Sequence, residues 1–183
     1  MLDLLAHKKD ENIAGYVISM WHLEDVLRAS DLDPAKVEAV LIEPMDADAG
    51  TKDLVRQWYK DLIKRMNQEG IVRYGHLPEV EEVIQELQYM HEAMVGLLRD
   101  PAYSASYEKI EADVRHLQQQ AMDEAVGEIE TCFMAVYGMM VLRAKGAEIS
   151  AATDAAVQRI REFLEELSLA YKRYRRLPGV SLN

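Results

Sequence analysis

Residues 122–142 have the sequence MDEAVGEIETCFMAVYGMMVL, and this stretch decides the fold. In a helix its apolar residues lie nearly all round the axis, which is typical of a central helix packed on several sides. Its apolar run at 132–142 has eleven residues, whereas a membrane-spanning helix requires about 20. The stretch therefore predicts a buried helix in the middle of a helical bundle.

Amphipathic helices are predicted on both sides of this stretch. Apolar residues recur at helical spacing, and no segment of useful length alternates with the two-residue period of a β-strand. Whether a helix breaks at Gln118–Gln120 is left open, because an amphipathic pattern changes there to a more apolar one. The predicted helices lie within residues 4–29, 34–43, 51–70, 78–98, 101–117, 122–142 and 150–174.

Together these segments predict an all-α fold: a single bundle of about five to seven helices, mostly up-and-down, with a buried central helix near residues 122–142. A chain of 183 residues is long enough for one hydrophobic core and short for two. We therefore expect residues 1–183 to form a single helical domain.

The charge and the N-terminus exclude several classes of protein. A formal net charge of −11 opposes binding to nucleic acid, which requires a cationic surface. The N-terminal sequence MLDLL has an acid where a signal peptide requires basic residues, and a single cysteine suits a reducing compartment. We expect an acidic, cytoplasmic protein that binds neither nucleic acid nor membrane.

No catalytic signature occurs in the sequence. There is no nucleophile elbow and no glycine-rich phosphate loop, and Cys132 lies in such an apolar segment that we expect a buried, inert thiol. Asp113 and His116 have the spacing of a bundle metal site, but a di-metal site requires two such pairs and two further glutamates. They are a weak metal candidate, and we predict no catalytic residue, no cofactor and no bound metal. Enzymatic activity is left open by the sequence but is not favoured.

Four polar residues lie on or beside otherwise apolar helix faces. Glu24 shares a face with Val17 and Met20, His91 lies on the stripe from Val80 to Leu98, and Arg143 follows the inward side of the central helix. A buried charge requires a partner. We predict a buried pair of Glu24 and Arg143, with Glu130 or His91 nearby. Such a pair either fixes the helix register or forms a polar pocket that binds an acidic or amide ligand.

Aromatic residues give the candidates for an interface. Trp21, Asp25 and Arg28 lie along one side of the first long helix, and Trp58 and Tyr59 form a second aromatic pair. Core packing is the expected role of both groups, whereas exposure would make either an interface hot spot. We expect His22 at the surface and His76 in a loop, where it caps the helix that starts at Pro78.

Short motifs along nearly the whole chain resemble one family. They are IAGY at 13–16, MWHLED at 20–25, WYKDLI at 58–63, EG at 69–70 with GHL at 75–77, EIETCF at 128–133, YG at 137–138, LR at 142–143 and EIS at 148–150. Together they resemble an uncharacterised bacterial family, domain-of-unknown-function family 4924, found mainly in Bacteroidetes. The resemblance implies an all-helical fold and assigns no activity or functional residue.

Two functions from different classes remain open. The first is a non-catalytic interaction or scaffold protein that self-associates through an apolar helix face, as a homodimer or with a protein partner. The second is a small-molecule-binding or metal-binding helical protein, with enzymatic activity not excluded, that uses a polar pocket between helices. The residues of that pocket would be Glu24, His91, Glu130 and Arg143.

Overall fold

A computed structural model describes residues 2–120 and 126–175, with side chains from residue 7 onward. Within these residues the chain forms nine α-helices and no β-strand, which confirms the all-α prediction. The helices are α1 (Leu2–Glu11), α2 (Ile13–Ala29), α3 (Pro34–Val37), α4 (Ala49–Gln68), α5 (Pro78–Glu92), α6 (Pro101–Glu108), α7 (Glu111–Gln120), α8 (Glu128–Ala144) and α9 (Ala151–Arg175).

The count exceeds five to seven mainly because two predicted helices are each divided. Asn12 separates α1 from α2: its backbone leaves the helix, and its side-chain oxygen accepts a hydrogen bond from the Gly15 N–H. This is a helix cap, which satisfies an amide that the first turn leaves without a partner. A turn at Lys109 and Ile110 likewise divides α6 from α7.

Four helices form the core of the bundle. α2, α5, α8 and α9 each pack against the other three, while α1 packs on α2 and α9, α6 on α9 and α7 on α8. The inner faces of these helices are buried and apolar, and they meet in one continuous hydrophobic cluster. The two remaining helices, α3 and α4, pack on each other, and α4 also packs on the turn at Glu38–Ile42 that follows α3.

The predicted central helix is observed as α8. Residues 121–125 lie outside the described residues, and 126 and 127 are not helical, so α7 and α8 are separate helices. Gln118–Gln120 form the last turn of α7, so the interruption that the sequence left open lies between Gln120 and the start of α8. One side of α8 is buried, but Met134 and Leu142 on its outer side are 45% and 46% exposed. α8 packs on α2, α5, α7 and α9, so the predicted packing on several sides is confirmed, and one face of the helix stays exposed.

Two segments widen into π-helical turns, at Glu38–Ile42 and Ala93–Leu97. A π turn holds one more residue than an α turn, so the residues after it change face. Leu98 was predicted on the buried stripe of α5 and is instead 52% exposed, whereas Met94 within the turn is buried.

None of the helices in the described part of the chain combines the length and the apolar character that crossing a membrane requires.

Candidate functional site

Glu24 is the most completely buried charged residue of α2, with 0% of its surface exposed. One carboxylate oxygen lies 2.6 Å from Nδ1 of His76, and the other accepts a hydrogen bond of 2.9 Å from the Leu77 N–H. The His76 ring stacks on Trp21, with centroids 4.5 Å apart and planes 9° apart. Both oxygens of the acid are thus satisfied within the fold.

Arg28 lies one turn further along α2 and binds the loop of residues 69–77, which connects α4 to α5 and contains His76. Its guanidinium donates hydrogen bonds to the backbone carbonyls of Ile71 and Gly75 and pairs with Asp25 at 2.9 Å. Together Glu24 and Arg28 hold the connection between α4 and α5 against α2. His76 lies in this loop as predicted, but it does not cap α5, which has no side-chain cap.

The predicted pair of Glu24 and Arg143 was wrong. Arg143 lies in the last turn of α8, has 52% of its side chain exposed, and pairs with Asp154 in the first turn of α9. A helical wheel gives the angle of a side chain but not its height, and a long arginine at a helix end reaches water. Glu130 is half-buried on α8.

His91 forms the second buried polar cluster. Only 2% of it is exposed; its Nδ1 lies 3.0 Å from the Tyr103 hydroxyl and its Nε2 lies 3.1 Å from Glu128. Tyr107 donates a hydrogen bond of 2.5 Å to the same carboxylate. The predicted burial of His91 is confirmed, and the glutamate that faces it is Glu128.

The ionisation of this second cluster follows from its burial. Loss of solvation lowers the pKa of His91 below its ordinary value of 6.5, although the neighbouring Glu128 acts in the opposite direction. Burial also raises the pKa of Tyr103 and of Tyr107 well above their usual range. These groups are therefore held neutral, and the cluster ties α5, α6 and α8 together.

The interface candidates divide into core and surface residues. Trp21 and Tyr59 are buried, so core packing is confirmed for them, while Trp58 is half-buried against the core. Arg28 is engaged with the α4–α5 loop, as described above. Asp25 is exposed and accepts a hydrogen bond of 2.6 Å from Tyr137, and His22 is exposed as predicted. A role of Asp25 or Trp58 in an interface stays a prediction.

The weak metal candidates have other partners. Asp113 pairs with Arg159 at 2.6 Å, and His116 contacts Gln120 at 3.0 Å. In the described residues no cluster of three or more histidine, cysteine, aspartate or glutamate side chains has metal-binding geometry. Cys132 is buried, as predicted, and burial raises the pKa of its thiol far above the ordinary value.

A groove of about 420 Å³ opens between α2, α8 and α9. Its apolar wall is formed by Ala14, Ile18, Val136, Met140 and Leu164. This volume lies within the range of about 300–1,000 Å³ that is typical of small-molecule sites.

The polar lining of the groove comes from Asn12, Arg143, Arg161 and Glu165. Gly15 lines the groove without a side chain, and a Cβ atom there would lie 3.1 Å from the Asn12 side chain. The groove therefore joins an apolar wall to a small polar group, which is the usual composition of a ligand site.

Arg161 is the feature of this groove that sequence reasoning missed. Its Nε is buried and has no hydrogen-bond partner among the described residues. Arg161 follows Val157 by four residues and precedes Leu164 by three, so a cation beside the buried stripe of α9 was visible in the sequence. The absence of a partner for it was not visible, because that depends on the neighbouring helices.

A family model described as a domain of unknown function, DUF4924, matches residues 3–177. No curated protein and no solved structure matches the chain.

Proposed function

We propose that this protein, which belongs to the DUF4924 family, is a non-catalytic binding protein for a small molecule, and that its site is the groove between α2, α8 and α9. One observation carries the proposal. The groove joins an apolar wall to polar groups at Asn12, Arg143, Arg161 and Glu165. This combination is typical of small-molecule sites.

Two further features support binding in preference to chemistry. The one thiol is buried and protonated, and the two buried acid–histidine clusters have their polar atoms engaged with one another. Neither cluster belongs to the lining of the groove. A ligand in the groove would therefore meet side chains suited to holding it rather than to transferring protons.

The test uses a pair of variants on opposite sides of α8. Met140→Trp places a large side chain in the groove, whereas Met134→Trp adds the same side chain on the exposed outer face. We expect dodecanol or dodecanoate to raise the Tm of the wild type and of Met134→Trp, and not of Met140→Trp. Equal shifts in both variants, or no shift in the wild type, would contradict the proposal.

Self-association is a second candidate function, supported by the outer face of α8. Met134 and Leu142 are exposed there, and no charged residue lies between Glu130 and Arg143. If a homodimer forms through this face, Leu142→Lys should reduce the mass measured by light scattering, while Leu54→Lys on exposed α4 should not. A monomeric wild type at high concentration would exclude this candidate.

We also propose a cytoplasmic location. The single cysteine and the acidic composition support it. Fractionation of the native host with an antibody to this chain is the direct test, and recovery in the secreted fraction would contradict it.

A further inference from the structure

We propose that the groove takes a small amphipathic carboxylate, with the anionic head on Arg161 and the apolar tail along Ile18, Met140 and Leu164. This inference rests on the proposed function, because it names the ligand class of the same groove. It is carried by the position of an unsatisfied cation on an apolar wall.

Arg161 differs from the other arginines that have no ion pair among the described residues. Arg73 and Arg99 are exposed, so water satisfies them, whereas Arg161 is half-buried and its Nε is shielded from solvent. A buried donor without an acceptor destabilises the fold. Arg161 itself lines the groove and has no ion pair among the described residues, so a carboxylate in the groove would supply the counter-charge that the guanidinium lacks. This gives the groove a reason to prefer an anion.

Glu165 follows Arg161 by four residues on α9, which is the spacing of a helical ion pair. The two side chains form no ion pair within 4.0 Å, and Glu165 is exposed although it also lines the groove. An i, i+4 pair in which one side chain is exposed is weak and is screened by salt. Glu165 therefore leaves the guanidinium available, and it disfavours ligands with more than one negative charge.

The remaining polar groups suit one anionic head. Asn12 uses its side-chain oxygen to cap α2, and its amide nitrogen is a donor. The positive end of the α2 dipole lies at the same place, and Arg143 lies on the α8 side, where it is paired with Asp154. Two arginines and one glutamate give this lining a net charge of +1 in a chain of −11.

A carboxylate fits this set of donors better than an amide or an alcohol. A guanidinium has only donors, in a planar fork that matches the two oxygens of a carboxylate. An amide would bring a donor that finds no acceptor on Arg161. The apolar wall requires that the rest of the ligand be hydrocarbon, so the class is an acid with an alkyl or aryl tail.

The experiment compares dodecanoate with dodecanol by isothermal titration calorimetry. These probes share one tail and differ in the head group. In the wild type we expect dodecanoate to bind about 10- to 100-fold more tightly than dodecanol, the range of a charge-assisted hydrogen-bonded pair. Arg161→Met should remove this preference, and Arg161→Lys should restore only part of it, because lysine lacks the planar fork.

Two control variants separate the head group from general charge effects. Arg173→Met removes a cation from the same helix, at an exposed site where it pairs with Glu166, and should leave both affinities unchanged. Glu165→Gln should tighten dodecanoate by about two- to fivefold, because it removes a like charge, and should not change dodecanol.

The outcomes distinguish the two proposals. If dodecanol binds as tightly as dodecanoate, and Arg161→Met changes neither, the carboxylate inference is overturned while the groove remains a binding site. If neither probe binds the wild type and Met140→Trp has no effect on any probe, the proposed function fails, and this inference fails with it.

Discussion

Glu24 and Arg161 are both charged side chains set against the apolar core, and their surroundings differ. Glu24 is fully buried and each of its oxygens has a partner, His76 Nδ1 or the Leu77 N–H. Arg161 is half-buried on the wall of a groove, and its Nε has no partner within the described part of the chain. A charge whose partners are all within the chain serves the fold, whereas one that lacks a partner is available to something outside it.

The largest expected effect on the free energy of unfolding is at Glu24, the charge whose partners lie within the chain. Glu24→Ala should lower the free energy of unfolding by about 3–5 kcal/mol, because it leaves His76 and the Leu77 N–H without their acceptor. Glu24→Gln should cost less, since an amide oxygen can still accept the Leu77 bond. Urea denaturation measures both; a loss below about 1 kcal/mol for Glu24→Ala would mean that the acid is not a structural centre.

The next prediction concerns pH and the other satisfied cluster. The pKa of His91 is lowered in the folded chain, so between that value and about 6.5 the unfolded chain binds more protons. This contribution to stability is therefore complete above about pH 6.5 and is lost as pH falls toward the folded pKa, at up to about 1.4 kcal/mol per pH unit.

The measurement for His91 is the slope of unfolding free energy against pH. The groups that face the ring are Glu128, Glu92, Tyr103 and Tyr107, and all are retained in His91→Gln. That variant should show a shallower slope between about pH 7 and pH 5, whereas His22→Gln, at an exposed site, should keep the wild-type slope. Identical slopes in all three proteins would contradict the lowered pKa.

A smaller effect of opposite sign on the free energy of unfolding is expected at Arg161. Arg161→Met should raise the free energy of unfolding by about 1 kcal/mol, because it removes a buried donor without an acceptor and adds apolar contact. Arg159→Met, two residues away, removes an ion pair with Asp113 and should lower stability by up to about 1 kcal/mol. A destabilised Arg161→Met would show that the guanidinium has a structural partner and would weaken the comparison.

The smallest effect is expected at Arg143. Because its ion pair with Asp154 is exposed, Arg143→Met should change the free energy of unfolding by less than about 0.5 kcal/mol. A loss of several kcal/mol would instead indicate a buried pair of the kind that the sequence predicted. Thermal unfolding at matched salt concentration is sufficient to decide this.

Periodicity predicted the buried positions better than it predicted their partners. Glu24 and His91 lie on apolar stripes in the sequence, and both are buried in the structure. Their hydrogen-bond partners were harder to predict, because His76 lies in a loop without periodic pattern, 52 residues from Glu24. A partner across the fold depends on where the connecting loop passes, and one helix does not contain that information.

The groove was anticipated only in part. The sequence placed a polar pocket near Arg143, and Arg143 does line the groove, but Glu24, His91 and Glu130 are not among its lining residues. On the α2 side the groove is lined by Gly15 and by Asn12, the residue that caps the helix. The sequence predicted one continuous helix over residues 4–29. It therefore predicted neither the break at Asn12 nor the groove that Asn12 lines.

The π turn at Ala93–Leu97 has a consequence for how sequences of this fold can vary in length. Deleting one residue there would let the turn close as an ordinary α-helix and would leave Leu98 on the face that it has now, because the deletion removes the extra residue of the π turn. A homologue one residue shorter at this point should therefore keep the same pattern of buried and exposed residues on both sides of the gap. Its alignment gap would mark the turn.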